Sequence, residues 1–156
     1  MHTWLICAFI GLSTVTQAQE LRNSGADKEL PNSMYTPGVT NPAVTQANIH
    51  KTICVPGYTA TIRPPSSYTS ALKTRQLATY YRGNCANLSN CEEDHLISLE
   101  IGGNPTDEKN LWPEPNAALK DQCENRLKAA VCAGTLTLKA AQQGIVGNWK
   151  TFCSAH

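Results

Sequence analysis

The sequence lacks several features that mark common classes of protein. After an N-terminal segment it contains no second long apolar run, so the mature chain is expected to be soluble and without a membrane span. It has no CxxC pair, which argues against a structural zinc site, and no visible internal repeat. A formal net charge of only +1 argues against a protein that coats nucleic acid without specificity.

Residues 1–18 have the features of a secretion signal. The run Thr3–Leu12 is apolar, has about the length of a signal's hydrophobic region and is too short to span a bilayer. Thr16 and Ala18 then supply small residues for cleavage after Ala18. No Lys or Arg precedes the apolar run, as one would in a typical signal. The alternative to a signal is a buried N-terminal strand or helix. We expect an exported protein, periplasmic or secreted, with no membrane contact after signal removal.

Cysteine usage agrees with export. Removing residues 1–18 leaves an even set of six cysteines, namely Cys54, Cys85, Cys91, Cys123, Cys132 and Cys153. Such a set in an exported chain predicts disulfides, and the pairing stays open among 15 possibilities. Cys85 and Cys91 close a short loop and are candidates for a local bridge. A zinc site is the alternative, but the spacings do not fit one.

The chain divides into a polar segment and one domain. Residues 19–50 are rich in Asn, Thr, Pro and Ser without a clear period, which predicts an extended or partly disordered arm. Residues 51–156 are expected to form a single domain. The alternation in Tyr58–Arg63 predicts a strand that Pro64 and Pro65 stop, and residues 70–81 are expected to form a helix.

The second half of the domain predicts two strands followed by two helices. A strand over 95–101 ends at two glycines, and a short returning strand covers 110–113. Pro115 fits the first position of a helix, and Gly134 fits its C-terminal cap. The apolar stripe of that helix is expected to be Leu119, Cys123, Leu127 and Val131. The last helix starts near Thr137, with one apolar face formed by Leu138, Ala141, Ile145 and Trp149.

Charge is distributed unevenly along the domain. Between Lys51 and Cys91 there are five basic residues and no acidic one, whereas Glu92 to Lys128 holds nine acidic and four basic residues. A cation site beside a phosphate-binding surface has this pattern. Chance clustering on a solvated face is the alternative interpretation.

The pair Asp94-His95 carries the strongest chemical signal. A carboxylate holds a hard cation through oxygen, and a histidine deprotonates water near neutral pH. In an extended backbone Asp94 points to the side opposite His95, so it reaches a shared metal only if the strand bends or begins there. Asn110 on the returning strand offers a side-chain or backbone carbonyl that orients the histidine ring.

The following helix supplies further candidates. Asn116, Lys120 and Glu124 share an i, i+4 stripe, and Asp121 lies beside it. Asp121 and Glu124 are predicted, with Asp94, as metal ligands. Lys120, Arg82 and Arg75 are the candidates for contacts to nucleic-acid phosphate.

The string Glu93–Gly103 followed by Asn110–Glu114 and a helix resembles the HNH endonucleases, including small exported bacterial members of that kind. The resemblance covers residues 92–132. It implies an α+β fold with a ββα-metal core and flanking helices, which the disulfides predicted from the cysteine count are expected to staple. It further implies hydrolysis of DNA or RNA phosphodiester bonds, with His95 as general base, Asp94 as metal ligand and Asn110 orienting His95. The expected cofactor is a divalent metal, Mg²⁺ first, with Mn²⁺ or Zn²⁺ as alternatives.

One departure from the family pattern opens a second hypothesis. The third family position, on the helix, is usually His or Asn, yet no histidine occurs between His95 and His156. The alternative is a non-catalytic exported binding module that kept the fold and lost the metal site. A third interpretation is a secreted nuclease toxin with an immunity protein as its partner.

Overall fold

The computed structural model describes residues 27–156, so the predicted secretion signal and residues 19–26 of the arm lie outside the described residues. This part of the chain combines α-helices with one small antiparallel sheet, the α+β class that the sequence predicts. In chain order the elements are α1 (Tyr58–Ile62), α2 (Ser66–Ala78), β1 (Glu92–His95), β2 (Leu111–Glu114), α3 (Ala117–Cys132) and α4 (Leu138–Ala155).

The sheet consists of β1 and β2, which pair antiparallel with His95 opposite Leu111. β2 agrees with the predicted returning strand to within one residue, but the strand predicted over 95–101 is wrong. β1 ends at His95 because the Asn110 amide donates to Asp107 (2.9 Å) and not to Leu96, although the Leu96 amide still donates to the Asn110 carbonyl (2.8 Å). The Ile97 amide donates to the Asn110 side chain (3.0 Å). Ser98 then caps a 3-10 turn over Leu99–Ile101.

The strand predicted over Tyr58–Arg63 is also wrong, because this segment forms helix α1. Gly57 before it has a φ of 81°, in the left-handed region. Pro64 and Pro65 follow at once, so only a single turn of helix fits between these two stops. Alternation over six residues does not distinguish this turn from a strand.

Helices α3 and α4 contribute seven of the fifteen buried residues of the core cluster among the described residues. Cys123, Leu127 and Val131 on α3 are fully buried as predicted, whereas Leu119 is 60% exposed, contrary to prediction. A residue four positions further along an α-helix is rotated by about 40° around the helix axis, so a stripe of such residues drifts around the helix. Leu119 therefore faces outward, and Lys120 takes the inward position. On α4 the four predicted apolar residues are all buried, and the Thr137 side chain accepts from the Ala140 amide as a cap.

The described part of the predicted arm packs onto the domain. Val44 and Ile49 belong to the core cluster, and Thr40 forms a β-bridge with Gly103. Gly103 itself lies so close to the loop that a Cβ there would sit 1.7 Å from the Ile97 carbonyl oxygen. Only glycine fits at this position of the predicted Gly-Gly motif.

All six cysteines of the described residues form disulfides, as the even count predicts. The pairs are Cys54–Cys132, Cys85–Cys91 and Cys123–Cys153. The local bridge is therefore confirmed, and a zinc site built from these cysteines is excluded. Three disulfides indicate an oxidising environment of the extracellular type. Within residues 27–156, no helix has the length and apolar character needed to cross a membrane.

Candidate functional site

His95 stands at the end of β1 and is only 3% exposed. Its Nε2 lies 3.0 Å from the carbonyl oxygen of Pro105. A carbonyl can only accept, so Nε2 carries the hydrogen and the neutral ring keeps its lone pair on Nδ1. Among the described residues no hydrogen bond is found for Nδ1, and His95 lines an open cleft.

The neutral form of His95 is favoured by its surroundings. Burial lowers the pKa of His95 below its ordinary value of 6.5, and the charges of Arg63 and Lys120 act in the same direction. The bond to Pro105 and the charge of Asp94 oppose this effect without reversing it. At pH 7 the ring is therefore a base with a fixed tautomer.

Asn110 holds the loop that orients this ring. Its side chain is fully buried, with Oδ1 accepting from the Ile97 amide (3.0 Å) and Nδ2 donating to the carbonyls of Ile97 (3.0 Å) and Asn104 (2.9 Å). Pro105 directly follows Asn104, so fixing that carbonyl fixes the neighbouring one that binds His95. Asn110 thus acts on His95 through the loop, and no hydrogen bond joins the two side chains.

Behind β1 lies a cluster of buried charges around Lys120. The Lys120 side chain has no exposed surface, and its Nζ donates to Asp94 Oδ2 (2.5 Å), Glu124 Oε1 (2.5 Å) and the His95 carbonyl (2.8 Å). Glu114 Oε2 lies 3.5 Å from the same nitrogen. We call these four side chains, Asp94, Glu114, Lys120 and Glu124, the Lys120 cluster.

Three carboxyl groups share a single ammonium here, so they cannot all be charged. Burial raises the pKa of Glu114 to about 9 and that of Glu124 to about 7. Burial also opposes ionisation of Asp94, but the charge of Lys120 and hydrogen bonds from Glu114 and Lys120 outweigh it and hold the Asp94 pKa below its usual value. Both Glu114 oxygens lack a donor partner, and a proton on Glu114 lets it donate to Asp94.

The ligand set predicted for a divalent metal does not fit this arrangement. Asp94 and Glu124 direct their carboxylates at Lys120, and Asp121 lies on the exposed side of α3. Within residues 27–156, no three His, Cys, Asp or Glu side chains are grouped so that they could hold a metal ion. The Lys120 ammonium is the cation that these carboxylates bind.

The residues predicted to contact phosphate are also dispersed. Arg75 forms an ion pair with Glu108, and Arg82, which follows α2, donates to the carbonyl of Ala78 at the end of that helix (3.2 Å). Lys120 is enclosed in the cluster. Arg75 and Arg82 thus have partners of their own, whereas Lys120 lies buried beside His95, where it donates to Asp94 and to the His95 carbonyl.

His95 opens onto a cleft of about 860 Å³ that the sequence did not reveal. The cleft is bordered by the first turn of α2, the segment 89–93 and the start of α3. Arg63 and Lys73 are its basic residues. The Lys73 ammonium already has partners, because its Nζ donates to the carbonyls of Leu88 and Cys91 at 2.8 Å each.

Glu93 is a further residue at this cleft. It lies two positions before His95 on β1 and so shares its face of the sheet. It is only 8% exposed, and neither carboxyl oxygen has a hydrogen-bond partner. Burial is the main cause that raises the pKa of Glu93 to about 8. The two-residue period of a strand was the available signal for this placement.

Compared with known proteins, the chain matches no protein-family model, no curated protein and no solved structure.

Proposed function

We propose that this protein is an exported endonuclease that hydrolyses phosphodiester bonds of DNA or RNA, with His95 as the general base. A water molecule in the cleft gives its proton to Nδ1 of His95 while its oxygen forms a bond to phosphorus. The bond between phosphorus and the leaving ester oxygen breaks, and that oxygen takes a proton from solvent. The reaction consumes one water and needs no oxidant or reductant.

The observation that carries the proposal is the bond from His95 Nε2 to the Pro105 carbonyl. It fixes the tautomer, so Nδ1 is the basic nitrogen of a ring that lines the cleft. The order β1, loop, β2, α3 over residues 92–132 and the motif residues Asp94, His95 and Asn110 support an HNH-like core.

Dependence on a divalent metal is implied by the resemblance alone. Because the ligand set predicted from the sequence does not fit, no step of the proposed reaction is assigned to a metal ion. The cation requirement is decided by assay, with Mg²⁺, Mn²⁺ and Zn²⁺ each added separately and EDTA as the metal-free condition.

The test is cleavage of plasmid DNA and of structured RNA by the oxidised protein under these conditions. Wild type is compared with His95→Gln, which can still donate to Pro105 but has no basic nitrogen, and with His50→Ala as an exposed histidine control. A loss of about 10²–10⁴-fold in His95→Gln alone is expected for a general base. Full activity in His95→Gln would refute the proposal.

The second candidate is a non-catalytic exported binding module. The observation in its favour is the Lys120 cluster, which already occupies the carboxylates that a metal would need. This candidate predicts no cleavage with any cation and no site-specific metal affinity. Titration of wild type and Asp94→Asn with each cation separates it from the enzyme.

A further inference from the structure

Arg63 is a cation without a partner at the edge of the cleft. It is exposed and lines the cleft together with His95. No hydrogen bond or ion pair holds its guanidinium among the described residues. Its backbone is less free, because Arg63 donates to the Thr59 carbonyl (3.0 Å) and Pro64 and Pro65 follow.

The positive charge of Arg63 acts on His95, the proposed general base. Burial is the largest cause that lowers the pKa of His95, and the positive charge of Arg63 adds to it. The same charge also acts on Glu92 and Asp121 and partly offsets the burial that raises the pKa of each. Arg63 is therefore close to His95 in electrostatic terms, yet neither carboxylate binds it.

The wall next to Arg63 presents further donors. Helix α2 begins at Ser66, and no side-chain hydrogen bond from Pro65 caps its N-terminus. Amides of the first helical turn lack partners within the helix and favour an anion. Ser66 of this turn and Ser70 of the next one line the cleft.

From these contacts we propose that Arg63 is the residue that binds the substrate phosphate beside His95, a role that rests on the proposed function. The guanidinium fork matches two phosphate oxygens, as the compact ammonium of a lysine does not. The other cation of the cleft, Lys73, already donates to two carbonyls and holds the loop closed by the Cys85–Cys91 disulfide. Arg63 replaces Arg75, Arg82 and Lys120 as the phosphate contact of the site.

The test measures binding apart from catalysis. A fluorescein-labelled single-stranded oligonucleotide is titrated with the full oxidised chain carrying His95→Gln, alone and combined with Arg63→Ala, Arg63→Lys or Arg82→Ala. Arg82→Ala is the matched control, because it removes the same charge from an exposed arginine outside the cleft. Fluorescence anisotropy is recorded at several salt concentrations.

Arg63→Ala is expected to weaken binding by about tenfold or more and to lower the slope of log affinity against log salt by about 0.7. Arg63→Lys should recover part of the affinity, and Arg82→Ala should change it about twofold or less. Equal effects of Arg63→Ala and Arg82→Ala would overturn the inference.

This result is separate from the outcome for the proposed function. If His95→Gln abolishes cleavage while Arg63→Ala binds like Arg82→Ala, the general base stands and the Arg63 assignment fails. If wild type does not cleave, but Arg63→Ala weakens binding and Arg82→Ala does not, then Arg63 still binds phosphate and the proposed chemistry fails.

Discussion

The Nε2 nitrogen of His95 lies 3.0 Å from the carbonyl oxygen of Pro105, and this contact decides which ring nitrogen is basic. The carbonyl is held by a loop that Asn110 fixes through three hydrogen bonds to the backbone of Ile97 and Asn104. The orientation and tautomer of the His95 ring are thus set by the Pro105 carbonyl and by the loop that Asn110 holds.

The titration of His95 should reflect its burial. Because burial lowers its pKa, the ring should take up a proton only below pH 6.5, its ordinary midpoint. Proton NMR of the histidine ring signals across pH 4–8 measures this, with His95→Gln identifying the signal. A His95 midpoint above 6.5 would contradict the environment described here. If His95 is the general base, the acid limb of the cleavage rate should share the midpoint found by NMR.

Asn110→Ala should loosen the loop that orients His95. The change leaves the buried amide and carbonyl of Ile97 without their partner, so a loss of about 2 kcal/mol or more in unfolding free energy is expected. Hydrogen exchange at the Ile97 amide should accelerate. Asn125→Ala is the control, because Asn125 is exposed and only donates to Asp121 in its own helix. Equal stability of the two variants would show that Asn110 does not hold the loop.

Lys120→Met should be strongly destabilising, because it leaves buried carboxyl groups without their cation. Breaking such a pair typically costs about 3–5 kcal/mol. Lys128 serves as the comparison, since its pair with Glu100 is partly exposed, at 3.1 Å, and should contribute about 1 kcal/mol or less. Urea unfolding of Lys120→Met and Lys128→Met measures both. A Lys120 variant as stable as the Lys128 variant would remove the case for a buried ammonium.

Glu93 should make the protein less stable as pH rises. Burial raises its pKa from 4.5 to about 8, so the folded chain keeps a proton that the unfolded chain releases in that window. The contribution of Glu93 to the free energy of unfolding therefore falls as the pH rises from about 4.5 to about 8. Glu93→Gln carries no titrating group, so it should match wild type near pH 5 and exceed it near pH 8.

Urea midpoints at the two pH values test this, with Glu108→Gln as an exposed control. A stability difference between wild type and Glu93→Gln that is the same at both pH values would show that Glu93 is not held protonated.

Sequence patterns located the elements whose burial follows a regular period. Helix α4 was predictable because Leu138, Ala141, Ile145 and Trp149 fall on one face of a long helix. The segment Tyr58–Ile62 was not, because one turn of helix and a short strand have similar local patterns. Its conformation is decided by the flanking Gly57 and prolines and by the neighbours it meets.

The motif likewise predicted the positions of His95 and Asn110 but not their connections. Pro105 carries no chemical signal in the sequence, and its carbonyl matters only because the loop folds back on β1. From the sequence, Lys120 was expected to be a surface cation on a polar stripe of the helix, beside Asp121 and Glu124. Its burial follows from the register of β1 and β2, which places Asp94 and Glu114 within its reach.

The single-turnover cleavage rate of His95→Gln decides whether His95 removes the proton from water. The variant keeps a donor for the Pro105 carbonyl, so orientation of the loop is preserved while the base is lost. If His95 is the general base, the rate should be about 10²–10⁴-fold below wild type, with His50→Ala unchanged. A His95→Gln rate equal to that of wild type would contradict it.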